Sequence, residues 1–152
     1  SEMDKSLDAK IAKIKSEFGN TKDVIYKKIS SGKTKCVIVY TLGLCDTIAL
    51  SELVISPLLK NREPIKNLDT VNETILPLSE IEKVDNFQDV FTNILKGKAV
   101  LIVDGIDECL ALGVDKVKER AQLKQSISRL VTILFPELEK LVPTLHMASV
   151  YA

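Results

Sequence analysis

Residues 100–108 read VLIVDGIDE, four apolar residues running into an acid, a glycine and two further acids. A nucleotide-hydrolysing site of the Walker B kind has this look. A buried strand delivers Asp104 to a Mg²⁺ ion, and the pair Asp107-Glu108 polarises a water. A second fragment, Ser30-Ser31-Gly32-Lys33-Thr34, has the ending of a phosphate loop. Together they raise a degenerate nucleotide-driven switch as one reading of the chain.

Each fragment has a plainer alternative. A phosphate loop needs G-x-x-x-x-G-K-[ST] between a strand and a helix. The first-glycine position here holds Lys27, and Thr34 is followed by the β-rich run KCVIVY. Without a helix at that point, backbone N–H groups do not converge on a phosphate. Gly32-Lys33 then reads as a hairpin turn between strands at 24–30 and 35–41. Asp104-Gly105 lies between two apolar runs, 99–103 and 106–112, and Asp-Gly is a strong signal for a two-residue type I′ hairpin. On that reading Asp107 and Glu108 are exposed charges near a hairpin tip. The spacing of Asp46, Asp104, Asp107 and Glu108 does not demand a carboxylate pair. Ser51 and Ser126 have no histidine near them in sequence. No catalytic, cofactor-binding or metal-ligating residue is therefore assigned, and no cofactor is expected.

The elements that would position these residues follow from periodicity. Leu7, Ile11, Ile14 and Phe18 give a helix over 4–18, stopped by Gly19. The 35–41 strand is apolar on both faces, as a central strand should be. Asp46 or Thr47 caps a helix to about Lys60, with Pro57 expected to kink or shorten it. Residues 61–75 are polar without clear periodicity and read as a loop. Residues 76–85 fit a short helical turn and then a strand. Phe87, Val90, Phe91, Ile94 and Leu95 predict a helix over 86–96 ending at Gly97. The expected fold is α/β, a mixed β-sheet flanked by helices over residues 1–113. A C-terminal helical extension covers 114–152. There Leu123, Ile127, Leu130, Leu134, Leu138, Leu141 and Leu145 form an apolar stripe, and Pro136 is a candidate first residue of a second helix.

Composition narrows the function. The chain has 152 residues with 21 basic and 21 acidic side chains, formally neutral. No basic stripe with interleaved aromatics is present, which argues against a nucleic-acid partner. The cysteines Cys36, Cys45 and Cys109 lack metal-ligand spacing, and the one histidine, His146, is remote. They read as buried, reduced thiols. No apolar run approaches the ~18 residues of a membrane span. The N-terminus is a charged amphipathic segment rather than a signal peptide. A soluble chain, or the soluble part of a larger one, is expected.

Over residues 1–113 the order of motifs resembles the N-terminal region of the A subunit of GerA-type spore germinant receptors. In that family an Asp-Val strand leads to a strand ending Tyr-x-x-Gly-Leu-x-Asp and then to a helix with a Pro-Leu pair near its end; the matching positions here are Asp23-Val24, Tyr40, Gly43-Leu44, Asp46 and Pro57-Leu58. The string ILKGKAVLIVDGIDECLAL matches a helix, strand and Asp-Gly turn in the same order. Leu42 stands where that family usually has an acid, and the family's second subdomain and membrane helices have no counterpart in the string. The resemblance implies a non-enzymatic signalling or assembly domain of a nutrient-sensing receptor. Its partners would be the receptor B and C subunits, and it would sit at the inner spore membrane on the spore-core side. It also implies a structural or binding role for Tyr40, Gly43, Asp46, Asp104 and Gly105, and it leaves a small nutrient ligand conceivable. A small-ligand binding module using an α/β cleft stays open beside it. The apolar stripe of the tail adds an expectation of self-association.

Overall fold

The computed structural model describes residues 3–141, with side chains described for most of them. The chain divides into two units, Ser1–Lys116 and Val117–Ala152.

The first unit is a five-stranded sheet with helices on both faces. Its strands are β1 (Val24–Ser31), β2 (Thr34–Thr41), β3 (Ile81–Val84), β4 (Ala99–Val103) and β5 (Cys109–Leu112), in the spatial order β1-β2-β4-β5-β3. The α/β class holds, with one correction. Every hydrogen-bonded pair is antiparallel, so the sheet is not mixed. The connection from β3 through α5 (Phe87–Leu95) to β4 does join two parallel strands. The β4–β5 hairpin, however, places β5 between them, and each pairs with β5 instead.

All of β4 and β5 is buried, and four consecutive residues of β2, Cys36–Val39, are as well. Alternation sends these side chains to two separate cores. Cys36, Ile38, Leu101, Val103, Leu110 and Leu112 face one way. They are covered by Leu50, Val54 and Leu58, and by Ile65, Leu68 and Val71. Val37, Val39, Val100, Ile102 and Cys109 face the other way, against α1 (Leu7–Phe18) and α5 through Leu7, Ile14, Val90 and Ile94.

Local chemistry sets the helix ends. Ser6 caps α1 by accepting from the Ala9 N–H, and Asn86 caps α5 by accepting from the Asp89 N–H. Asp46 accepts from the N–H groups of Ile48 and Ala49 and starts α2 (Thr47–Leu50). The helix then continues through a π-helical stretch, Ser51–Ile55, into α3 (Ser56–Lys60). Pro57 does not shorten it. Pro57 sits in the first turn of α3, where the preceding wide turn bonds Ser56 N–H to the Ser51 carbonyl and relieves the usual proline conflict.

The expected loop over 61–75 is corrected in its second half. Asn67 caps α4 (Leu68–Thr70), which runs into a second π-helical stretch, Val71–Ile75. Leu68 and Val71 are buried, so the polar residues between them form only the outer face. In the second unit α6 (Lys116–Leu134) is followed by a 3₁₀ helix that begins at Pro136 and ends at Leu141. Leu123, Ile127, Leu130, Leu134 and Leu138 are exposed. The side chain of Leu141 lies outside the described residues, as do Leu145 and His146.

The hairpin turns exchange their expected chemistry. Gly32 and Lys33 have φ of 54° and 70°, and Ser31 pairs with Thr34, so this is the type I′ turn. At 104–105 only Gly105 is left-handed, with φ 87°. Ile106 N–H reaches the Val103 carbonyl at 3.3 Å, as in a type II turn, and five residues separate the strands. A longer connection can bond to other elements, and this one does.

The two glycines differ in consequence. A Cβ on Gly32 would lie 2.0 Å from the Glu63 carbonyl oxygen, whereas one on Gly105 would meet nothing within 4 Å. Gly105→Ala should therefore cost about 1 kcal/mol from backbone strain alone. Gly32→Ala should cost roughly 2–4 kcal/mol. Lys33→Gly should gain up to about 1 kcal/mol by removing a left-handed lysine. Urea denaturation of the three variants gives the ranking, and a Gly32→Ala loss no larger than that of Gly105→Ala would contradict the packing described.

Candidate functional site

The five residues singled out by motif occupy opposite ends of the sheet. Tyr40, Gly43 and Asp46 are at the corner where β2 leaves for α2, beside Ala99 and Leu112. Asp104 and Gly105 are at the other end of β4. Asp104 stands opposite Lys35, and Tyr40 is five residues further along β2, about 17 Å at the usual strand rise, with Gly43 and Asp46 beyond it in sequence. They do not form one site.

The corner is a joint. The Asp46 N–H donates to the Val114 carbonyl at 2.7 Å, and the Lys116 N–H donates to Leu44 at 3.0 Å. Cys45 bridges to Asp115. Thr41 Oγ1 donates to the Ile94 carbonyl at 3.1 Å, tying the same corner to the end of α5. Gly97, which ends that helix, has φ 95°, and a Cβ there would come within 2.6 Å of the Leu44 carbonyl oxygen. Gly43 turns the corner at φ 86°. Asp46 thus caps a helix and fastens the segment through which the chain leaves the first unit. Tyr40 is half-buried and packs on the core, and burial raises its hydroxyl pKa.

The opposite end is a clamp on α1. An Asp104 carboxylate oxygen accepts from the Leu7 N–H at 3.1 Å, placing negative charge at the positive end of the helix dipole. The Asp104 N–H donates to Lys35 at 2.9 Å, and the Gly105 N–H donates to Lys5 at 2.9 Å. Lys10 completes the clamp. Its side chain is fully buried, and its ammonium donates to the carbonyls of Ile106 and Lys5. Burial pulls its pKa down, opposed by Cys109, Asp104 and Asp107 nearby. Asp107 and Glu108 are half-buried rather than fully exposed. Sequence reasoning missed Lys10 by counting it among the polar residues of α1. Its spacing, three after Leu7 and four before Ile14, puts it on the apolar stripe.

This geometry does not support nucleotide chemistry. Thr34 opens a strand, Gly32-Lys33 is a hairpin turn, and Asp104 is committed to the start of α1. Among the described residues no group of His, Cys, Asp and Glu is arranged to hold a metal ion. No helix among them is long and apolar enough to cross a membrane. Cys36, Cys45 and Cys109 are all buried free thiols.

Burial raises the pKa of each of those thiols to about 12 from 9.0. The unfolded chain releases these protons near 9, and the fold retains them until about 12. The stabilisation is therefore complete below pH 9 and is lost as pH climbs from 9 towards 12. Native protein at about pH 8 should resist alkylation by iodoacetamide, while denatured protein reacts fully. The urea midpoint should fall on going from about pH 8 to about pH 10.5. Rapid alkylation of the native chain would contradict the buried placement.

Comparison with known proteins adds what the geometry lacks. A model of the Bacillus/Clostridium GerA spore germination protein family matches residues 12–132. Spore germination protein KA of Bacillus subtilis (strain 168) is 30% identical over 122 residues, covering 76% of this chain and 22% of that protein. Spore germination protein GerLA of Bacillus cereus is 26% identical over 137 residues, covering 86% of this chain and 26% of that protein. The chain thus spans about a quarter of the length of these relatives. A crystal structure of the N-terminal domain of the A subunit of the Bacillus megaterium spore germinant receptor GerK3 has a TM-score of 0.65 and 25% identity. That likeness covers 74% of this chain and 47% of the other.

Proposed function

The chain belongs to the Bacillus/Clostridium GerA spore germination family, and from that premise we propose that it is the first α/β subdomain of a nutrient-sensing receptor A subunit. It works without catalysis, as a signalling and assembly module. The observation that carries this is the likeness to the GerK3 A-subunit domain, 0.65 in TM-score at 25% identity. The separation of the motif residues supports it. Asp46 and its neighbours fasten the exit of the unit, while Asp104, Gly105 and Lys10 fasten α1. Residues whose work is to hold elements together suit a module that transmits displacement better than one that carries out a reaction. The B and C subunits are its partners on this proposal, and its place is beside the inner spore membrane, facing the core.

The test places a fold-breaking substitution in the full-length protein. Leu101 is fully buried on the central strand β4, so Leu101→Arg removes this subdomain. Spores carrying it should lose the nutrient response that depends on this receptor, with the companion subunits depleted. Germination forced by a non-nutrient agent should be unchanged. Normal nutrient germination would sink the proposal.

Self-association through α6 belongs to the same proposal. Leu123, Ile127, Leu130 and Leu134 follow four-three-four spacing, the seam of a two-helix contact, and all four are exposed. Each such side chain contributes roughly 1.5–3 kcal/mol when fully buried. Light scattering should find a dimer of the chain, and Leu130→Asp with Leu134→Asp should give the monomer. A wild-type monomer at tens of micromolar would refute this contact.

A further inference from the structure

A recess of about 440 Å³ lies between α1 and the ribbon formed by β1 and β2. We propose that it binds a small organic monocarboxylate with a short apolar body. The inference goes beyond the receptor assignment and does not depend on it.

The walls come from two elements in fixed relation. Leu7 and Ile11 lie one turn apart on α1, and Val37 faces them from β2. Lys28 pairs with Val37 across the ribbon, and Lys35 is two residues before Val37. Strand alternation therefore puts Lys28, Lys35 and Val37 on the same face, beneath α1. Lys28 and Lys35 are diagonal neighbours, so two like charges stand within about 8 Å of each other. Neither makes a side-chain hydrogen bond or ion pair among the described residues. Lys15 brings a third cation from α1, its ammonium held 5.0 Å from the centre of the Tyr26 ring.

Three lysines over an apolar wall select an anion with an apolar body. Asp8 is the one acid that lines the recess. It repels a second negative charge and so favours a monoanion over phosphate. The start of α1 is also unavailable as a phosphate cradle. Its first N–H is bonded to Asp104 and its third to Ser6. The volume falls within the ~300–1,000 Å³ usual for small-ligand sites. A lipid surface fits less well, because Leu7, Ile11 and Val37 are not among the exposed large apolar side chains and form no protruding patch.

Hexanoate serves as the probe for the whole 152-residue chain, followed by methyl and amide NMR. Hexanamide is the uncharged isostere, inorganic phosphate the anion without an apolar body, and phosphatidylglycerol vesicles the membrane control. Hexanoate should shift the methyl signals of Leu7, Ile11 and Val37 saturably. Hexanamide should bind about tenfold more weakly or worse, the effect of losing a charge-assisted hydrogen bond. Lys28→Gln with Lys35→Gln should weaken hexanoate by about the same factor with an unchanged melting temperature. Both lysines are exposed, and Lys35→Gln alone serves if the pair disturbs the fold. Equal binding of hexanamide would overturn the proposal. So would saturable binding of phosphate at these residues, broadening by vesicles alone, or hexanoate shifts confined to other parts of the chain.

Discussion

Five consecutive buried residues, Ala99–Val103, run through the middle of the sheet as β4, and β5 beside it is buried throughout as well. A strand cannot hide one residue without turning the next to the opposite side. Burial of every position therefore requires a covering layer on each face. The layer formed by α1 and α5 meets Val100 and Ile102, and the layer formed by residues 47–75 meets Leu101 and Val103. Removing either layer would return apolar residues to water at roughly 1.5–3 kcal/mol for each large side chain. The helices are held to their places by this demand more than by their own propensities. The helical segments over 47–60 and 68–75 are short and include π-helical turns, and segments of that length are marginal in water alone.

The polar interactions at the two ends of the sheet specify how those layers sit. Lys10 is the most exacting of them, since a buried ammonium destabilises the fold unless its donors are used. Its bonds to Ile106 and Lys5, with Asp104 at the start of α1, bind the first helix to the β4–β5 connection. At the other end Asp46, Cys45 and Leu44 join the β2 corner to Val114, Asp115 and Lys116. The strand that carries the core thus ends at one side in a clamp and at the other in a joint. The recess beneath α1 lies towards the clamped end, where the N–H of Leu7, one of its lining residues, donates to Asp104.

Family membership comes from the comparisons, and the geometry shows how the motif residues are used. The relatives are spore germination proteins about three and a half times as long as this chain. The fold is similar to about half of an N-terminal domain from a germinant receptor A subunit. In the first unit the motif residues are spent on internal fastening. In the second, Leu123, Ile127, Leu130 and Leu134 of α6 are exposed.

The sequence by itself determined what depends on neighbouring residues. Asp46 could be read as a cap because its side-chain oxygen reaches N–H groups two and three residues ahead. Ser6 and Asn86 cap in the same local way, although periodicity alone starts those helices at 4 and 86. Gly19 and Gly97 stop helices because each takes a positive φ. The order of motifs from Asp23 to Leu112 was also legible, and with it the family. Other features required the tertiary structure. The insertion of β5 between β3 and β4, which makes the sheet antiparallel throughout, is a choice of partner among distant strands. The type I′ turn falls at Gly32-Lys33 because β1 and β2 pair in register to Ser31 and Thr34, whereas Asp104-Gly105 is drawn out to meet α1. Residues 68–75 look polar in sequence and become helical because Leu68 and Val71 find a sheet to cover. Lys10 looks like one more surface lysine until the β4–β5 connection brings two carbonyls to it. Capping and turn chemistry act over a few residues and can be read from them. Strand partners, buried charges and the walls of a recess are contributed by residues far apart in the chain, and only the packed fold decides which of them meet.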